Sequence, residues 1–362
     1  MPNFENFEAE QSPEEKVVEL EKQITDLQSE KESAVEAIKI ETKKKKKHKK
    51  VEEDVRLELP DNPQTRQVEF EKDDKGKFYF IYEDEHGNET IATPGDLVSD
   101  IDYGIYYDLN HEIKSQEHRS KYNKFRRQYL AAVYQAEIDK LETELLLIKR
   151  LKIDRVDLDD YHIGQVYQEL YDELKLDQPD IKEQAGFLFE KMINGLLTKL
   201  AIDLGDKWRF SVEKASVIDD VELKTDLIVK FLESEQANRG IGAQENAKIK
   251  GFQLTLIDKN DKKFQRKKEQ VAKVKAQIAE LKRLGRQTDF DDLALLETEV
   301  GNQAVISRYD KWKDKGKPAG GPEKFFSENQ IMEFLAKIFE ATDLDFEQNE
   351  NFKTEVWQYF KK

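Results

Sequence analysis

Glu190, Asp226, Gln253 and Thr255 are the residues of this chain whose types and spacing best suit a polar site, and all lie between Gly186 and Asp258. Glu190 sits in the first turns of an amphipathic helix, GFLFEKMINGLLTKL. Asp226 opens an apolar strand, Thr225–Phe231. Gln253 and Thr255 lie two apart in a further strand, Gly251–Ile257, and side chains alternate faces along a strand, so these two point the same way. Two carboxylates, an amide and a hydroxyl bring oxygens to the site but no positive charge. The nearest cations are Lys224 and Lys250 at strand edges, and Lys267 and Lys268 on the helix that follows. Each oxygen has a plainer reading too: Glu190 as a solvated helix carboxylate, Asp226 as the cap of a strand end, Thr255 as a good strand former. Gln253, mid-strand between Phe252 and Leu254, needs a partner if its amide is buried. Asp219 and Asp220 read as the turn between two strands, and secondarily as extra ligands.

The elements that must position these residues run helix, strand, strand, strand, helix, strand. The first strand is Arg209–Lys214. After the third comes a helix within Asp258–Gly285 whose buried side is Phe264, Val271, Val274, Ile278 and Leu281. Lys262, Lys263, Arg266, Lys267, Lys268, Lys273, Lys275, Lys282 and Arg283 crowd its other faces. That basic face is either solvated or a track for a DNA backbone. A fourth strand is expected over Ala304–Tyr309. Gly316–Glu323, GKPAGGPE, reads as punctuation, and residues 311–362 as a C-terminal loop and helices, Ser327–Phe339 and Phe346–Phe360. Gly240-Ile241-Gly242 reads as a hairpin loop rather than a dinucleotide turn.

The N-terminal half looks like support for this unit. Residues 1–13 are expected to be disordered. Within 14–58, Val17, Leu20, Ile24, Leu27, Ala34 and Ile38 follow a heptad seam interrupted only by Lys31, the pattern of a coiled coil. Lys43–Lys50, KKKKKHKK, reads as a solvated helix end or a contact for an anionic surface. Pro60 and Pro63 stop that helix. Residues 64–110 read as a small antiparallel meander, with strands Gln67–Glu71, Lys77–Tyr82 and Thr90–Ala92. Phe78, Phe80 and Tyr82 alternate onto one face, for packing or for base stacking. Pro94–Leu109 reads as a loop or short helix with no assigned chemistry. Residues 111–178 form a second long helix, His111–Leu151, and a connecting helix, Asp157–Leu174. The two long helices are expected to pair antiparallel with the meander at their tip, and Pro179 marks the domain boundary. His111 and His118 are two turns apart, too far for the usual one-turn spacing of helical metal ligands.

Bulk composition narrows the classes. With 38% hydrophobic and 38% charged residues, 362 residues suit long solvated helices beside a modest core. A net charge of −16 argues against a uniformly basic nucleic-acid binder. The chain has no cysteine, which removes disulfides, thiol nucleophiles and Cys-ligated zinc. No apolar run approaches 18 residues and no signal-peptide pattern is present, so a soluble cytoplasmic protein with no membrane association is expected. No Walker A loop, GxSxG, HExxH or EF-hand loop occurs.

The order of elements, with Glu190 on the first helix and Asp226 opening the second strand, resembles the PD-(D/E)XK nuclease superfamily, the restriction-endonuclease-like fold, over roughly residues 181–309. AGFLFEKMINGLLTKL is similar to that family's first helix, KTDLIVKF to its metal-binding strand, and GFQLTLID to its third strand. The resemblance implies an α+β protein: a restriction-endonuclease-like α/β core (181–310) with a long-helix arm carrying the meander. It implies a metal-dependent nuclease acting on or binding DNA, with Mg²⁺ or Mn²⁺ as cofactor held by Asp226, Glu190 and Gln253, and with the main-chain carbonyl of Leu254 as a further ligand. Lys262, Lys263, Arg266, Lys273 and Lys275 would contact DNA. The sequence departs from the family at Gln253, where an acid is usual, and at Thr255, where a lysine is usual. Lys267 or Lys268 would have to supply the missing charge, giving a catalytic set of Glu190, Asp226, Gln253, Lys267 and Lys268. The alternative is an inactive nuclease fold serving as an interaction or structural protein through its coiled coil, with a second copy or a partner helix.

Overall fold

The computed structural model describes residues 13–44, 65–72, 77–110, 116–154, 185–208, 210–215, 225–232, 247–256, 262–284, 290–298 and 300–341, with 351, 353–356, 358 and 359. The chain divides into two compact units, one of Met1–Leu59 with Glu112–Asp177 and one of Pro60–His111 with Gln178–Lys362. Residues 1–12, most of the Lys43–Lys50 tract, the Asp157–Leu174 helix and Pro179 lie outside the described residues.

The first unit holds two long helices that pack on each other, α1 (Pro13–Lys44) and α3 (Gln116–Asp154), numbered in chain order. The seam read from the sequence is the side of α1 that is covered. Leu20 and Ile24 are buried, and Val17, Leu27, Lys31 and Ala34 are half-buried between exposed neighbours. The interrupting lysine has a partner: Lys31 Nζ donates to Gln135 Oε1 on α3, and Gln135 Nε2 donates to Asp139 Oδ1 at 2.6 Å. A polar layer inside an apolar seam fixes register, because a slip strands the charge against hydrocarbon. The coiled coil among the described residues is therefore made within one chain.

The second unit contains two four-stranded sheets. The first has the order β3-β2-β1-β4, from β1 (Thr65–Lys72), β2 (Phe78–Glu83), β3 (Glu89–Ala92) and β4 (Tyr106–Asp108). β1, β2 and β3 form the expected antiparallel meander, but β4 adds a strand parallel to β1, with Thr65 opposite Tyr106. The stretch read as a loop or short helix thus also supplies a strand. Its Tyr106 and Tyr107 are both buried, so no alternation announces it. Phe80 and Tyr82 are buried as well, and Phe70 meets Phe78 edge-on at 5.0 Å, so the aromatic face is a packing face. Between β3 and β4 lie a short helix, α2 (Pro94–Ser99), and a 3-10 turn (Asp100–Tyr103). The meander belongs to the same compact unit as the C-terminal half of the chain.

The second sheet runs β5-β6-β7-β8. Helix α4 (Ala185–Trp208) precedes β5 (Phe210–Lys214), β6 (Leu227–Leu232) and β7 (Ala247–Thr255), which pair antiparallel in turn. Helix α5 (Lys262–Arg283) then crosses to β8 (Asp292–Glu297), which is parallel to β7. Parallel neighbours require such a crossover. Alternation sends Leu227, Val229, Phe231, Phe252 and Leu254 to one face, where they pack with α4 residues such as Met192, Leu196 and Leu200. Ile228 and Leu293 face the other way, beneath Val271, Val274 and Ile278 of α5. Gly251 is needed on that second face: a Cβ there would sit 2.9 Å from the Phe290 ring.

The expected fourth strand is corrected. Ala304–Tyr309 lies inside a helix, α6 (Asn302–Asp314), and DLALLE at 292–297 is the strand. AVISRY opens on an apolar, partly β-branched run that suits a strand, but Val305 and Trp312 are both buried seven residues apart, two turns along one face of a helix, where a strand would send them to opposite faces. A 3-10 turn (Pro322–Phe325) and α7 (Glu328–Ala341) follow. The structure is mixed α+β, and no described helix is long and apolar enough to cross a membrane.

Candidate functional site

The sequence-derived residues converge on the backbone of one residue, Leu254. Asp226 immediately precedes β6 and donates its own N–H to the Phe252 carbonyl at 2.8 Å. Its carboxylate Oδ2 accepts the Leu254 N–H at 2.6 Å. Where β6 has no further backbone acceptor to offer, the side chain replaces it. The strand-end cap is therefore part of what Asp226 does.

Lys267 reaches the same residue from α5. Its Nζ donates to the Leu254 carbonyl at 3.0 Å. In an extended strand a residue's N–H and C=O point to the same side, so the Asp226 carboxylate and the Lys267 ammonium approach Leu254 together. Lys267 is the half-buried lysine of its turn. Lys268 instead is exposed, its ammonium 5.4 Å from the Phe264 ring centroid. Lys250 pairs with Asp292 at 3.1 Å. Burial raises the Asp292 carboxyl, but the hydrogen bond and charge of Lys250, with Lys275, outweigh it and leave Asp292 below its ordinary value. Lys224, Asp219 and Asp220 lie outside the described residues.

Gln253 and Thr255 are 6% and 3% exposed and share the α5 side of β7. Gln253 Oε1 has no hydrogen-bond partner among the described residues. A buried amide oxygen left unpaired is costly, about 1–3 kcal/mol, and so asks for a ligand. Glu190 is half-buried on α4, the helix that covers the opposite face of the sheet, so the structure does not gather it with Gln253.

These oxygens fit a hard divalent cation in part. The Asp226 carboxylate and the Gln253 amide are suitable donors. The Leu254 carbonyl, expected as a ligand, is instead engaged by the Lys267 ammonium, which would repel a cation there. Among the described residues no group of three or more His, Asp or Glu side chains is arranged around a common point.

On the exposed side of α5, Lys262, Arg266 and Lys273 stand opposite the buried stripe and make no ion pair among the described residues. Lys275 is drawn to Asp292 at 3.5 Å and Lys282 to Asp291 at 2.8 Å. The side chain of Lys263 lies outside the described residues.

Sequence reasoning missed a second polar cluster, deep in the same unit. Asp96, Asp100, Lys199 and Glu323 are each at most 4% exposed. Lys199 Nζ donates to the Gly320 carbonyl and lies 3.2 Å from Glu323 and 3.7 Å from Asp96. Asp100 accepts from the Tyr107 hydroxyl at 2.6 Å and from Gly320 N–H at 2.9 Å. The Tyr103 hydroxyl donates to Glu323 at 3.0 Å. Beside them Asp203 accepts from Tyr359 at 2.5 Å and from Gly95 N–H at 3.1 Å. Glycines allow the approach: a Cβ at Gly195 would lie 2.2 Å from Glu323, and one at Gly320 2.2 Å from Asp96. Burial pushes Glu323 up to about 7 and Asp100 up to about 6. Burial also acts on Asp96, but Lys324 and Lys199 outweigh it and hold that carboxyl below its ordinary value. The available signal was the glycine pair Gly320-Gly321 just before Glu323-Lys324.

The fold and these two clusters define a mixed α+β protein with a polar site at the end of the central strands of one sheet and a buried carboxylate box. No family model matches the chain, and comparison with curated proteins and with solved structures finds no match.

Proposed function

We propose that this chain is a metal-dependent nuclease acting on DNA, with Asp226 and Gln253 as its metal-holding oxygens and Lys267 as its cation; Glu190, on the opposite face of the sheet, is left out of the metal set. The observation that carries the reading is the Lys267 ammonium at the Leu254 carbonyl, beside the residue whose N–H holds Asp226. It brings a positive charge to the strand where Thr255 lacks one. A bound Mg²⁺ or Mn²⁺ would neutralise developing charge and lower the pKa of an attacking water. The Leu254 N–H fixes the orientation of the Asp226 carboxylate. Lys267 places its ammonium where a phosphate oxygen gains charge, and the unpaired Gln253 oxygen orients a ligand. Lys262, Arg266 and Lys273 offer phosphate contacts along α5.

The strand-end cap made by Asp226 favours a second reading, a nuclease-like fold without turnover that binds DNA or works through its helical arm. Cleavage of plasmid and single-stranded DNA with Mg²⁺, then Mn²⁺, separates the two. Asp226→Asn keeps an oxygen for the Leu254 N–H and removes the charge, so folding is expected to survive while cleavage disappears. Equal cleavage by both proteins would remove Asp226 from the chemistry. Inactivity of both, with DNA still bound, would favour the second reading.

Joint replacement of Lys262, Arg266 and Lys273 by alanine is expected to weaken DNA binding at all sequences. The dependence of log K on log salt should become shallower by about 2–3, near one unit per lost phosphate contact. An unchanged slope in a fluorescence-anisotropy titration would take α5 off the DNA surface.

A further inference from the structure

We propose that the buried carboxylate box is a proton-dependent clamp, holding the turn Lys315–Lys324 closed while Glu323 and Asp100 are protonated and loosening it when those protons leave. The proposal is independent of nuclease activity.

The first ground is the charge balance. Three carboxylates, Asp96, Asp100 and Glu323, are 0–4% exposed, and the ammonium buried to match is that of Lys199, at 1%. Lys324 reaches Asp96 at 3.2 Å but keeps 33% of its side chain exposed. With all three carboxylates ionised, one fully buried cation faces three anions, and burying unbalanced charge is expensive. The tyrosines add no charge of their own, because burial and the neighbouring carboxylates hold Tyr103 and Tyr107 well above the ordinary phenol range and keep them neutral donors. A proton on Glu323 or Asp100 is the available remedy.

The second ground is the turn. Gly316, Lys317, Gly320 and Gly321 all have positive φ, 77°, 48°, 91° and 64°. Lys317 pays a steric penalty there that glycine avoids, so the conformation depends on what docks it. Its anchors are the box itself, through the Gly320 N–H to Asp100 and the Gly320 carbonyl to Lys199. Further anchors are Arg66 to the Lys317 carbonyl at 2.8 Å and Ala319 N–H to the Tyr82 hydroxyl. Ionised Asp100 still accepts the Gly320 N–H, so what loosens the turn is the unbalanced charge that proton loss leaves buried at its anchor.

The sign follows from the raised carboxyls. Their stabilising contribution is complete below the unfolded values, near 4, and is lost as pH rises through about 6 for Asp100 and about 7 for Glu323. Lys199 of α4 and Tyr103 and Asp100 of the 3-10 turn act on Glu323 directly; Asp96 of α2 shares Lys199 with it, Lys324 follows it in the chain and pairs with Asp96, and Asp102 acts on Tyr103. His86 packs on Gly316 at the other end of the turn, with Nε2 2.9 Å from the Asp314 carbonyl. As an ionisable side chain packed on the turn, His86 needs its own control.

Amide hydrogen exchange of the full chain, read by mass spectrometry over residues 315–326 and corrected for intrinsic rates, tests the clamp from pH 5.5 to 8.5. Protection in the wild type is expected to fall about tenfold or more between pH 6 and pH 8. In Glu323→Gln the fall is expected to vanish, and in His86→Gln to persist. A fall of equal size in Glu323→Gln, or its disappearance in His86→Gln, would overturn the proposal. If Glu323→Gln does not fold, Asp100→Asn replaces it with the same expectation, and a full-sized fall in that variant would equally overturn it.

Discussion

Lys267→Ala is expected to lower DNA cleavage about 10²–10³-fold, the usual loss when one preorganised donor to a developing charge is removed. Lys268→Ala is expected to leave the rate within about twofold, because that ammonium lies over the Phe264 ring and is exposed. The contrast between adjacent lysines makes the experiment sharp. Both variants change the charge of α5 equally, so a general loss of DNA attraction would affect both alike. The structural cost of Lys267→Ala is one hydrogen bond to the Leu254 carbonyl, about 1 kcal/mol. If the cation acts on the reacting phosphate as proposed, the loss appears in kcat at saturating DNA, and Lys267→Arg recovers part of it. Equal rates for the two alanine variants would mean that the lysine serves only to tie α5 to β7.

Lys199→Met is expected to destabilise the second unit by about 3–5 kcal/mol at pH 8, the range seen when one partner of a buried ion pair is removed. Methionine keeps most of the volume, so the loss is electrostatic: Glu323, Asp96 and the Gly320 carbonyl lose their ammonium together. The deficit is expected to shrink markedly at pH 5, where Glu323 and Asp100, with values raised to about 7 and about 6, are protonated in the folded state and need no counter-charge. Urea unfolding followed by tryptophan fluorescence measures this cleanly. Trp208, Trp312 and Trp357 all lie in Gln178–Lys362, so the signal reports the second unit. A deficit equal at both pH values would show that Lys199 contributes packing, not charge.

Legibility in the sequence tracked how local each signal was. The α1 seam, the meander strands, α4 and the buried stripe of α5 repeat at short spacing, and the structure places them as read, except Ile38 and Leu281, whose side chains lie outside the described residues. The fourth strand was misplaced because AVISRY opens on a short apolar, β-branched run, a pattern that strands share with buried helix segments, while its burial follows a helix. β4 escaped because both of its tyrosines are buried. In the site at the strand ends, Asp226 and Gln253 could be named, but choosing Lys267 over Lys268 needed the direction in which α5 presents each side chain. The box was invisible for a different reason. Its members run from Asp96 to Glu323, and only tertiary packing brings them together.

The Lys31–Gln135–Asp139 layer limits how the helical arm can change in length. A residue inserted in α1 alone rotates every later seam position by about 100°, away from α3, and moves Lys31 off Gln135 or its neighbours off the seam. Adding whole heptads to one helix restores the facing but leaves them without a partner stripe. The arm can therefore grow or shrink only by matched seven-residue blocks in α1 and α3. Its reach is quantised in steps of roughly 10 Å, the rise of seven helical residues.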